Sequence, residues 1–271
     1  MFDRSRVHES GSCCFQKALE KPVIQKKAGF TKLRPRLEAA LSMLGAQQVL
    51  ADIGCDHGRF GITALRRGLC SRVIASDISA PSLEKARRLA DKEALRNRIE
   101  FRCCDGLTGY APGEATGAAL LGMGGELIAS ILERGKEAAH GFSRIVMQPM
   151  RGEAELRKHL YENGYAVRDE CVVFDAGRYY QLIAAEYAPD ESSSLPSDWP
   201  EDYYQFGPVA FNKREAELLP MLKRYKAVMG RKLAAAARNG SVPPALKREA
   251  ECTKRIIELY PADNTEEITW N

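Results

Sequence analysis

The sequence predicts an α/β fold, a mostly parallel sheet whose strands alternate with helices, followed by an antiparallel helical hairpin. Three observations predict it. Residues 49–61, VLADIGCDHGRFG, run from an apolar strand through a glycine-containing turn into a helix. Strand-like and helical segments then alternate up to residue 163, which is typical of a parallel sheet. A long helical run near the C-terminus, followed by a second one, predicts the hairpin.

The elements follow from hydrophobic periodicity and turn residues. Leucines at helical spacing over 33–44 predict a first helix that covers the sheet. Five strands are predicted near 48–52, 73–77, 99–103, 118–121 and 144–148, and four helices near 59–67, 81–95, 126–138 and 153–163. Two further strands, 165–173 and 179–186, are joined by a short turn around Asp175 and Gly177, so we expect them to pair antiparallel.

Composition changes after the last predicted strand. A segment rich in serine and proline predicts a linker at 191–211. Residues 212–238 form a helical run that Pro220 interrupts, so the helix kinks or begins there. Prolines at 243 and 244 open a second helix. We therefore predict four regions, a variable basic arm at 1–30, an α/β domain at 31–190, the linker at 191–211 and the hairpin at 212–271.

The glycine-containing loop favours a small-molecule cofactor site. Its glycines fall at 54, 58 and 61, a spacing different from the dinucleotide fingerprint G-x-G-x-x-G. Asp52 precedes the first glycine by two residues, where it would repel a polyphosphate and attract a cationic amine. The pattern D-x-G-x-x-x-G is similar to the first motif of class I S-adenosylmethionine-dependent methyltransferases. A structural strand-to-helix turn, or another nucleotide site, would use the same glycines.

Acidic residues also end the second and third predicted strands. Asp77 lies where doubly wound sheets bind ligands, and its carboxylate could accept hydrogen bonds from both ribose hydroxyls. Asp105 ends the third strand, where methyltransferases of this class commonly hold the adenine amino group. Each acid could instead cap the next helix. Three acids at three consecutive strand ends favour a binding site.

Length and composition exclude several classes of protein. The chain has 271 residues, 45% of them hydrophobic, enough for one α/β domain and a smaller appendage. Its apolar stretches fall far short of the roughly 20 residues of a membrane span, and residues 1–36 lack the apolar segment of a signal peptide. Eight cysteines show no C-x-x-C pair. We therefore expect a cytoplasmic protein without a metal or membrane partner, for which a monomer is one compatible state.

The net charge of +4 is unevenly distributed along the chain. Residues 1–36 carry +6 and residues 213–255 carry +8, so the remainder carries −10. Clustered cations on both sides of an acidic domain predict a polyanionic partner. A solvated helix face rich in lysine and arginine would give the same count.

Several segments together resemble the bacterial TrmK family. They are ADIGCDHGRFG at 51–61, ASD at 75–77, CDGL at 104–107, LLGMGGELIASILERG at 120–135, MQPM at 147–150 and LRKHLYENGY at 156–165. The family consists of tRNA adenine-N1 methyltransferases that modify adenosine 22, with a class I Rossmann-like domain followed by a helical coiled-coil domain. The resemblance covers about residues 32–260. Met150 departs from it, because many members have asparagine there.

The glycines at 122, 124 and 125 lie at the predicted tip of the fourth strand, where class I methyltransferases hold the acceptor. Many DNA and RNA amino-methylases have an Asn/Asp-Pro-Pro-aromatic motif there, which this chain lacks. The glycines leave backbone groups open and could admit a flat base close to the cofactor. They could equally serve only the turn into the next helix.

The resemblance implies S-adenosyl-L-methionine as cofactor, tRNA as substrate, a methyltransferase domain at 31–190 and a tRNA-binding hairpin. The predicted cofactor-binding residues are Asp52, Gly54, Asp56, Gly58, Asp77, Ile78, Asp105, Gly106 and Gly122. The catalytic candidates are Asp56, His57, Met123, Gly124 and Gly125. The RNA-binding candidates are Arg34, Arg36, Lys223, Arg224, Lys226, Arg231 and Lys232.

The implied chemistry requires positioning more than a strong base. Adenine N1 has a lone pair in the ring plane, so it can attack a sulfonium methyl group directly. The ring becomes cationic, and a nearby acid such as Asp56 could stabilise the developing charge. His57 could equally be structural. Two other functions fit the same sequence: a methyltransferase of small molecules or proteins whose hairpin is a dimerisation element or lid, and a non-enzymatic RNA- or cofactor-binding protein with a degenerate site.

Overall fold

The computed structural model describes residues 33–260 except 192–194, 196 and 201–202. The arm predicted at 1–30 and residues 261–271 at the end of the predicted hairpin therefore lie outside the described residues.

Seven strands form one sheet in the described part of the chain. Their bounds are β1 Gln47–Ile53, β2 Cys70–Asp77, β3 Ile99–Cys103, β4 Gly117–Met123, β5 Arg144–Pro149, β6 Tyr165–Asp175 and β7 Arg178–Tyr187. The strand order is β3-β2-β1-β4-β5-β7-β6. Strands β1 to β5 are parallel, and β7 runs antiparallel to both β5 and β6. This arrangement confirms the predicted class I Rossmann-like sheet with its terminal antiparallel pair.

Helices cover the sheet and form the C-terminal hairpin. Their bounds are α1 Pro35–Leu44, α2 Arg59–Arg66, α3 Ala80–Lys92, α4 Gly125–Arg134, α5 Lys136–Ala139, α6 Glu153–Glu162, α7 Pro208–Asn212, α8 Leu218–Arg238 and α9 Pro244–Leu259. Helices α8 and α9 pack against each other, which confirms the predicted hairpin.

Two predicted helices begin or end differently from the prediction. The run predicted at 126–138 is divided at Gly135 into α4 and α5. Leu107 packs against Gly135 so closely that a side chain at 135 would overlap it. The run predicted from 212 begins as α8 only at Leu218. Pro220 therefore lies in the first turn, where its missing N–H costs no helical hydrogen bond. Of the two outcomes expected at Pro220, the structure shows the second, a helix that begins beside the proline.

The sheet is buried on both faces, as helix-covered parallel sheets are. Leu50 on β1, Ile74 on β2 and Leu120 on β4 are each no more than 1% exposed, and Ile128 and Leu156 on the covering helices are fully buried. This core holds the strands in register, so the carboxyl ends of β1 to β5 meet at one edge of the sheet.

A second core lies beneath the hairpin. Trp199, Tyr203 and Phe206 are buried with Leu222 of α8 and Ile256 of α9. The three aromatic residues belong to the segment 191–211, for which composition predicts a linker. In its described residues that segment instead supplies apolar side chains that fill the space between the hairpin and the sheet.

A buried ion pair joins the sheet to this second core. Arg157 of α6 and Glu170 of β6 are each 1% exposed, with Nε of the arginine 2.7 Å from Oε1 of the glutamate. Nη2 of Arg157 donates to Gln181 of β7, and Nη1 donates to the carbonyls of residues 204 and 205. The other oxygen of Glu170 accepts the backbone N–H groups of Val209 and Ala210 in α7. This network therefore ties α6, β6 and β7 to α7, the short helix that precedes the hairpin.

Candidate functional site

A cavity of about 540 Å³ opens at the carboxyl edge of the parallel strands. Its lining comes from the ends of β1, β2, β4 and β5, from the loop after β3, and from α1, α2 and α4. Its size lies within the range of about 300–1,000 Å³ that small-molecule sites occupy. The topology therefore brings the separate strand-end motifs of the sequence to one site.

Asp52 lies at the bottom of this cavity. Its side chain is 4% exposed, and its Oδ2 accepts the N–H of Gly61 in the first turn of α2 at 3.0 Å. Burial raises the pKa of Asp52 to about 7, the N–H of Gly61 partly offsets the rise, and the negative charge of Asp77 adds to it. The predicted attraction for a cationic group therefore comes from a carboxyl group that titrates near neutral pH.

Asp77 lies at the cavity wall with both carboxylate oxygens oriented by the backbone. Oδ1 accepts the N–H of Ser79 at 2.8 Å, and Oδ2 accepts the N–H of Asp56 at 3.0 Å. Each oxygen keeps a second lone pair, so the carboxylate can still accept two hydroxyl groups of a ligand. Asp56 adopts a φ of 48°, a left-handed conformation that directs its N–H towards Asp77.

Apolar side chains stand beside these acids. Ile78 is 74% exposed although it lines the cavity, and Leu127 of α4 is 48% exposed. Exposed apolar side chains inside a polar cavity are typical of a surface on which a flat ring stacks.

Asp105 lines the same cavity and forms an ion pair with an arginine. The sequence did not predict this partner. Arg134 of α4 donates to both carboxylate oxygens, at 2.5 and 3.2 Å. This hydrogen bonding lowers the pKa of Asp105, so the group is ionised. The ion pair orients the carboxylate at the rim, where its remaining lone pairs can accept an amino group.

Three of the predicted glycines line the cavity in conformations that favour glycine. Gly54, Gly106 and Gly122 have φ values of 66°, 58° and 78°. A side chain at Gly54 would overlap the terminal carbon of Met123, whose thioether chain lies across the loop. Met123, a predicted catalytic residue, therefore lines the cavity directly above the glycine turn.

The other predicted glycines lie outside the cavity lining of the described residues. Gly58 caps α2 with a φ of 67° and packs against Ala86 of α3. Gly125 donates its N–H to Arg151 at 2.7 Å, and a side chain there would overlap the carbonyl oxygen of Gly152. Gly124, its neighbour, has open space around it. Close packing explains Gly58 and Gly125, and a catalytic role for Gly124 and Gly125 stays a prediction.

His57 and Asp56 form a pair at the mouth of the cavity. The His57 Nδ1 lies 2.9 Å from Asp56 Oδ2, and the two side chains are 43% and 68% exposed. The pair lines the cavity, so it can contact a ligand, as the sequence predicts. The carboxylate fixes the orientation of the imidazole ring.

The cysteines near the site are not activated nucleophiles. Cys55 and Cys104 line the cavity as free thiols. Burial raises the pKa of each thiol, so the nucleophilic thiolate form is disfavoured. The chemistry of the cavity therefore rests on its carboxylates, its backbone groups and its polar side chains.

The far end of the cavity contains Gln148, which is not among the predicted site residues, and Arg36, which is predicted to bind RNA. Gln148, at the end of β5, lines the cavity although it is only 1% exposed. Arg36 of α1 approaches it, with Nη1 3.5 Å from Gln148 Oε1 and 3.2 Å from the Met150 sulfur. The MQPM motif was the available signal for Gln148, since it lies at a strand end next to the glycine block.

The predicted RNA-binding residues fall into two groups. Arg34 and Arg36 both lie near the buried carboxylate of Asp175, at 3.1 and 3.8 Å, and Arg36 also covers the ring of Tyr180. The second group is exposed on α8 and consists of Lys223, Arg224, Lys226, Arg231 and Lys232. Of these, Arg224 also donates to the carbonyl of Gly177 at 3.0 Å. The structure thus places a cationic surface on the hairpin.

The described residues contain neither a metal-binding cluster nor a membrane-spanning helix. No group of three or more His, Cys, Asp or Glu side chains in these ranges is arranged to hold a metal ion. None of the helices in the described part of the chain has the length and apolar character that crossing a membrane requires.

Parts of this chain are similar in sequence to known proteins. Residues 33–183 match the family described as a methyltransferase domain. The tRNA (adenine(22)-N(1))-methyltransferase of Bacillus subtilis strain 168 is 36% identical over 155 residues, which are 57% of this chain. The chain spans 65% of the length of that relative.

Solved structures show the same architecture. The crystal structure of the B. subtilis m1A22 tRNA methyltransferase TrmK is 28% identical with a TM-score of 0.70, over 84% of this chain and 97% of that one. Streptococcus pneumoniae Sp1610, solved in complex with S-adenosyl-L-methionine, has a TM-score of 0.71 at 23% identity, over 82% of this chain and 98% of that one. At 23% identity the likeness concerns the fold.

Proposed function

Because the chain belongs to the family of methyltransferase domains, through residues 33–183, we propose that it transfers a methyl group from S-adenosyl-L-methionine to N1 of adenine 22 in tRNA. One observation carries the proposal: acids, glycines and an exposed apolar surface from five neighbouring strand ends line one cavity. The B. subtilis relative, named for this reaction, supports the choice of substrate.

The residues in the cavity fit an adenosyl cofactor. The two oriented oxygens of Asp77 match the two hydroxyls of a ribose, and the adjacent Ile78 offers an apolar surface to an adenine ring. Asp105 stands at the rim with acceptor capacity for the adenine amino group. Gly54 lines the cavity close to the buried carboxyl group of Asp52, and its missing side chain makes room for the thioether chain of Met123. When bound, the cofactor supplies the electrophilic methyl group.

The protein's contribution to the reaction is orientation and charge stabilisation. The target adenine would enter beside Met123, between the cofactor-binding half of the cavity and Gln148. In-line placement of N1 against the methyl group converts the transfer into an effectively intramolecular step. The carboxylate of Asp56, at the mouth of the cavity, can stabilise the positive charge that develops on the ring.

The hairpin would bind the tRNA outside the cavity. The exposed cations of α8 form a surface suited to phosphate groups, and such contacts are independent of base identity. The target base is stacked in folded tRNA, so we expect it to be extruded into the cavity. A tRNA substrate also implies that the enzyme works in the cytoplasm.

The test is methyl transfer from labelled S-adenosyl-L-methionine to bulk bacterial tRNA, followed by nucleoside analysis. We expect label in N1-methyladenosine, and its loss from a tRNA transcript in which position 22 is not adenosine. Label in another nucleoside would contradict the proposed target atom. Transfer to a protein or small molecule, with none to tRNA, would favour the alternative in which the hairpin is a dimerisation element or lid.

A further inference from the structure

The carboxyl edge of the sheet orders the cavity along one line. Asp105 follows β3, Asp77 ends β2, Gly54 follows β1, Met123 ends β4 and Gln148 lies near the end of β5. The groups suited to the adenosyl half of the cofactor, Asp77 and Asp105, lie at the β2 and β3 end. A cofactor whose adenosyl half lay there would extend its methyl group away from them, towards β4 and β5. The acceptor base must occupy that end of the cavity.

Gln148 is the polar side chain that β5 contributes there. Its amide Nε2 donates to the carbonyl of Pro149 at 2.7 Å, which fixes the orientation of the amide group. Its Oε1 is left with one long hydrogen bond, 3.5 Å from Arg36 Nη1, among the described residues. A buried amide oxygen with a single weak donor has capacity for a stronger one. Because the Pro149 carbonyl occupies Nε2, the group that Gln148 keeps available at this end of the cavity is its acceptor oxygen.

We propose that Gln148 Oε1 accepts a hydrogen bond from the exocyclic amine of the target adenine and thereby presents N1 to the methyl group. This inference rests on the proposed function and adds to it the residue that distinguishes adenine. The amine is attached to the ring carbon next to N1, so a hydrogen bond to it leaves the N1 lone pair free. Guanine has a carbonyl oxygen at the equivalent position, and this oxygen would face Oε1 without a hydrogen.

The same hydrogen bond would strengthen during the reaction. As N1 forms its bond to the methyl carbon and the carbon–sulfur bond breaks, the sulfur takes the electron pair and the ring gains positive charge. That charge is shared with the exocyclic amine, so its hydrogens become more acidic. An acceptor already in place then stabilises the transition state more than the bound substrate.

Arg36 is a positioning residue for Gln148 in this arrangement. It reaches Gln148 from α1, while its guanidinium group lies 5.0 Å from the ring centre of Tyr180 and 3.8 Å from Asp175. These contacts hold the guanidinium in place.

The test compares two substrates and two forms of the enzyme. The substrates are tRNAs ligated from synthetic halves, with adenosine or purine riboside, which lacks the exocyclic amine, at position 22. The enzymes are the wild type and Gln148→Met, a variant of similar volume without the acceptor. The measured quantity is the ratio of kcat/KM for the adenosine tRNA to kcat/KM for the purine riboside tRNA, at saturating cofactor. We expect this ratio to be about tenfold higher for the wild type than for the variant, which corresponds to the free energy of one hydrogen bond. Intrinsic differences in N1 reactivity affect both enzymes equally and cancel.

Controls separate the possible failures. Gln48→Met, at the opposite edge of the sheet, should leave the preference unchanged. Cofactor affinity measured by calorimetry should be the same in both variants and the wild type, which shows that Gln148→Met is folded. An equal preference in wild type and Gln148→Met overturns this inference alone. No methyl transfer by the wild type to the adenosine tRNA overturns the proposed function as well.

Discussion

At the residue scale, Asp52 links the cavity to the stability of the protein. Its pKa rises from 3.8 to about 7 on folding, chiefly through burial. The folded state therefore binds the extra proton between about pH 4 and pH 7. The contribution of Asp52 to stability is present below pH 4 and is lost as pH rises through 7, by up to about 4 kcal/mol.

We predict that Asp52→Asn removes this pH dependence, because asparagine stays neutral and still accepts the N–H of Gly61. At pH 4.5 the variant and the wild type should have similar free energies of unfolding, whereas at pH 8 the variant should be more stable. Urea unfolding at the two pH values measures the difference. Asp91→Asn, which removes an exposed carboxyl group, is the control. If the free energies of unfolding of the variant and the wild type differed by the same amount at both pH values, the raised pKa of Asp52 would be contradicted.

The two neighbouring glycines of the G-M-G-G block allow a second prediction. Gly125→Ala should lower the free energy of unfolding by about 2 kcal/mol, because its methyl group would overlap the Gly152 carbonyl. Gly124→Ala should change it by less than about 0.5 kcal/mol, because only Arg151 Nε lies near, at 3.9 Å. Urea midpoints of the two variants test this, and equal midpoints would contradict the predicted close packing.

The sequence predicted part of the site at this scale. Asp52, Asp77 and Asp105 were identified because each ends a strand, and strand ends of a parallel sheet converge whatever the other side chains do. The partners were not identified. Arg134 meets Asp105, and Arg36 meets Gln148, across 29 and 112 residues of chain. Such pairs depend on how helices lie over the sheet, which periodicity does not specify.

At the scale of the elements, the buried Arg157 and Glu170 pair connects α6 and the β6–β7 pair to α7, the short helix that precedes the hairpin. Arg157→Met leaves Glu170 buried without its guanidinium partner, which should lower the free energy of unfolding by about 3 to 5 kcal/mol. The double variant Arg157→Met/Glu170→Gln should lose less than the sum of the two single variants.

Arg88→Met is the matched control for this prediction. It breaks an exposed pair with Glu84, four residues apart on α3, and should cost no more than about 0.5 kcal/mol. Denaturant unfolding of all four variants measures these values. Additive losses in the double variant would mean that the two side chains do not act as a pair.

The elements themselves were largely predictable, because alternating strands and helices with short turns admit few topologies. The role of the segment 191–211 could not be predicted from its composition. Its serines and prolines predict a linker, yet Trp199 and Phe206 are buried. Composition indicates the conformation that a segment favours in isolation. The apolar face of α8 and α9 against which these rings pack exists only after the hairpin has formed.

At the scale of the whole molecule, the cationic surface of α8 is expected to bind tRNA. The variant Lys223→Glu/Lys226→Glu/Arg231→Glu should weaken tRNA binding and make it less dependent on salt, since each lost phosphate contact removes about 0.7 to 0.9 from the slope of log affinity against log salt. Cofactor affinity should not change. Filter binding across a salt series, with calorimetry for the cofactor, provides the measurement.

Lys85→Glu/Lys92→Glu is the control for the charge reversal. Both lysines are exposed on α3, which packs on β2 and β3, at the end of the sheet opposite to the strands that carry the hairpin. This double variant should keep most of the tRNA affinity. Equal losses from both surfaces would indicate attraction by net charge rather than a specific binding face.

The buried pair of Arg157 and Glu170 also bears on how the protein could select its substrate. Because Arg157 and Glu170 tie α7, which leads into the hairpin, to the same sheet that carries the cavity, we expect the cations of α8 to keep a set distance from the end of β5. Under the proposed function, that distance would have to match the distance from the bound RNA backbone to the target base. We would then expect the target to be selected by its position in the folded RNA, with the neighbouring sequence mattering only as far as it preserves that distance.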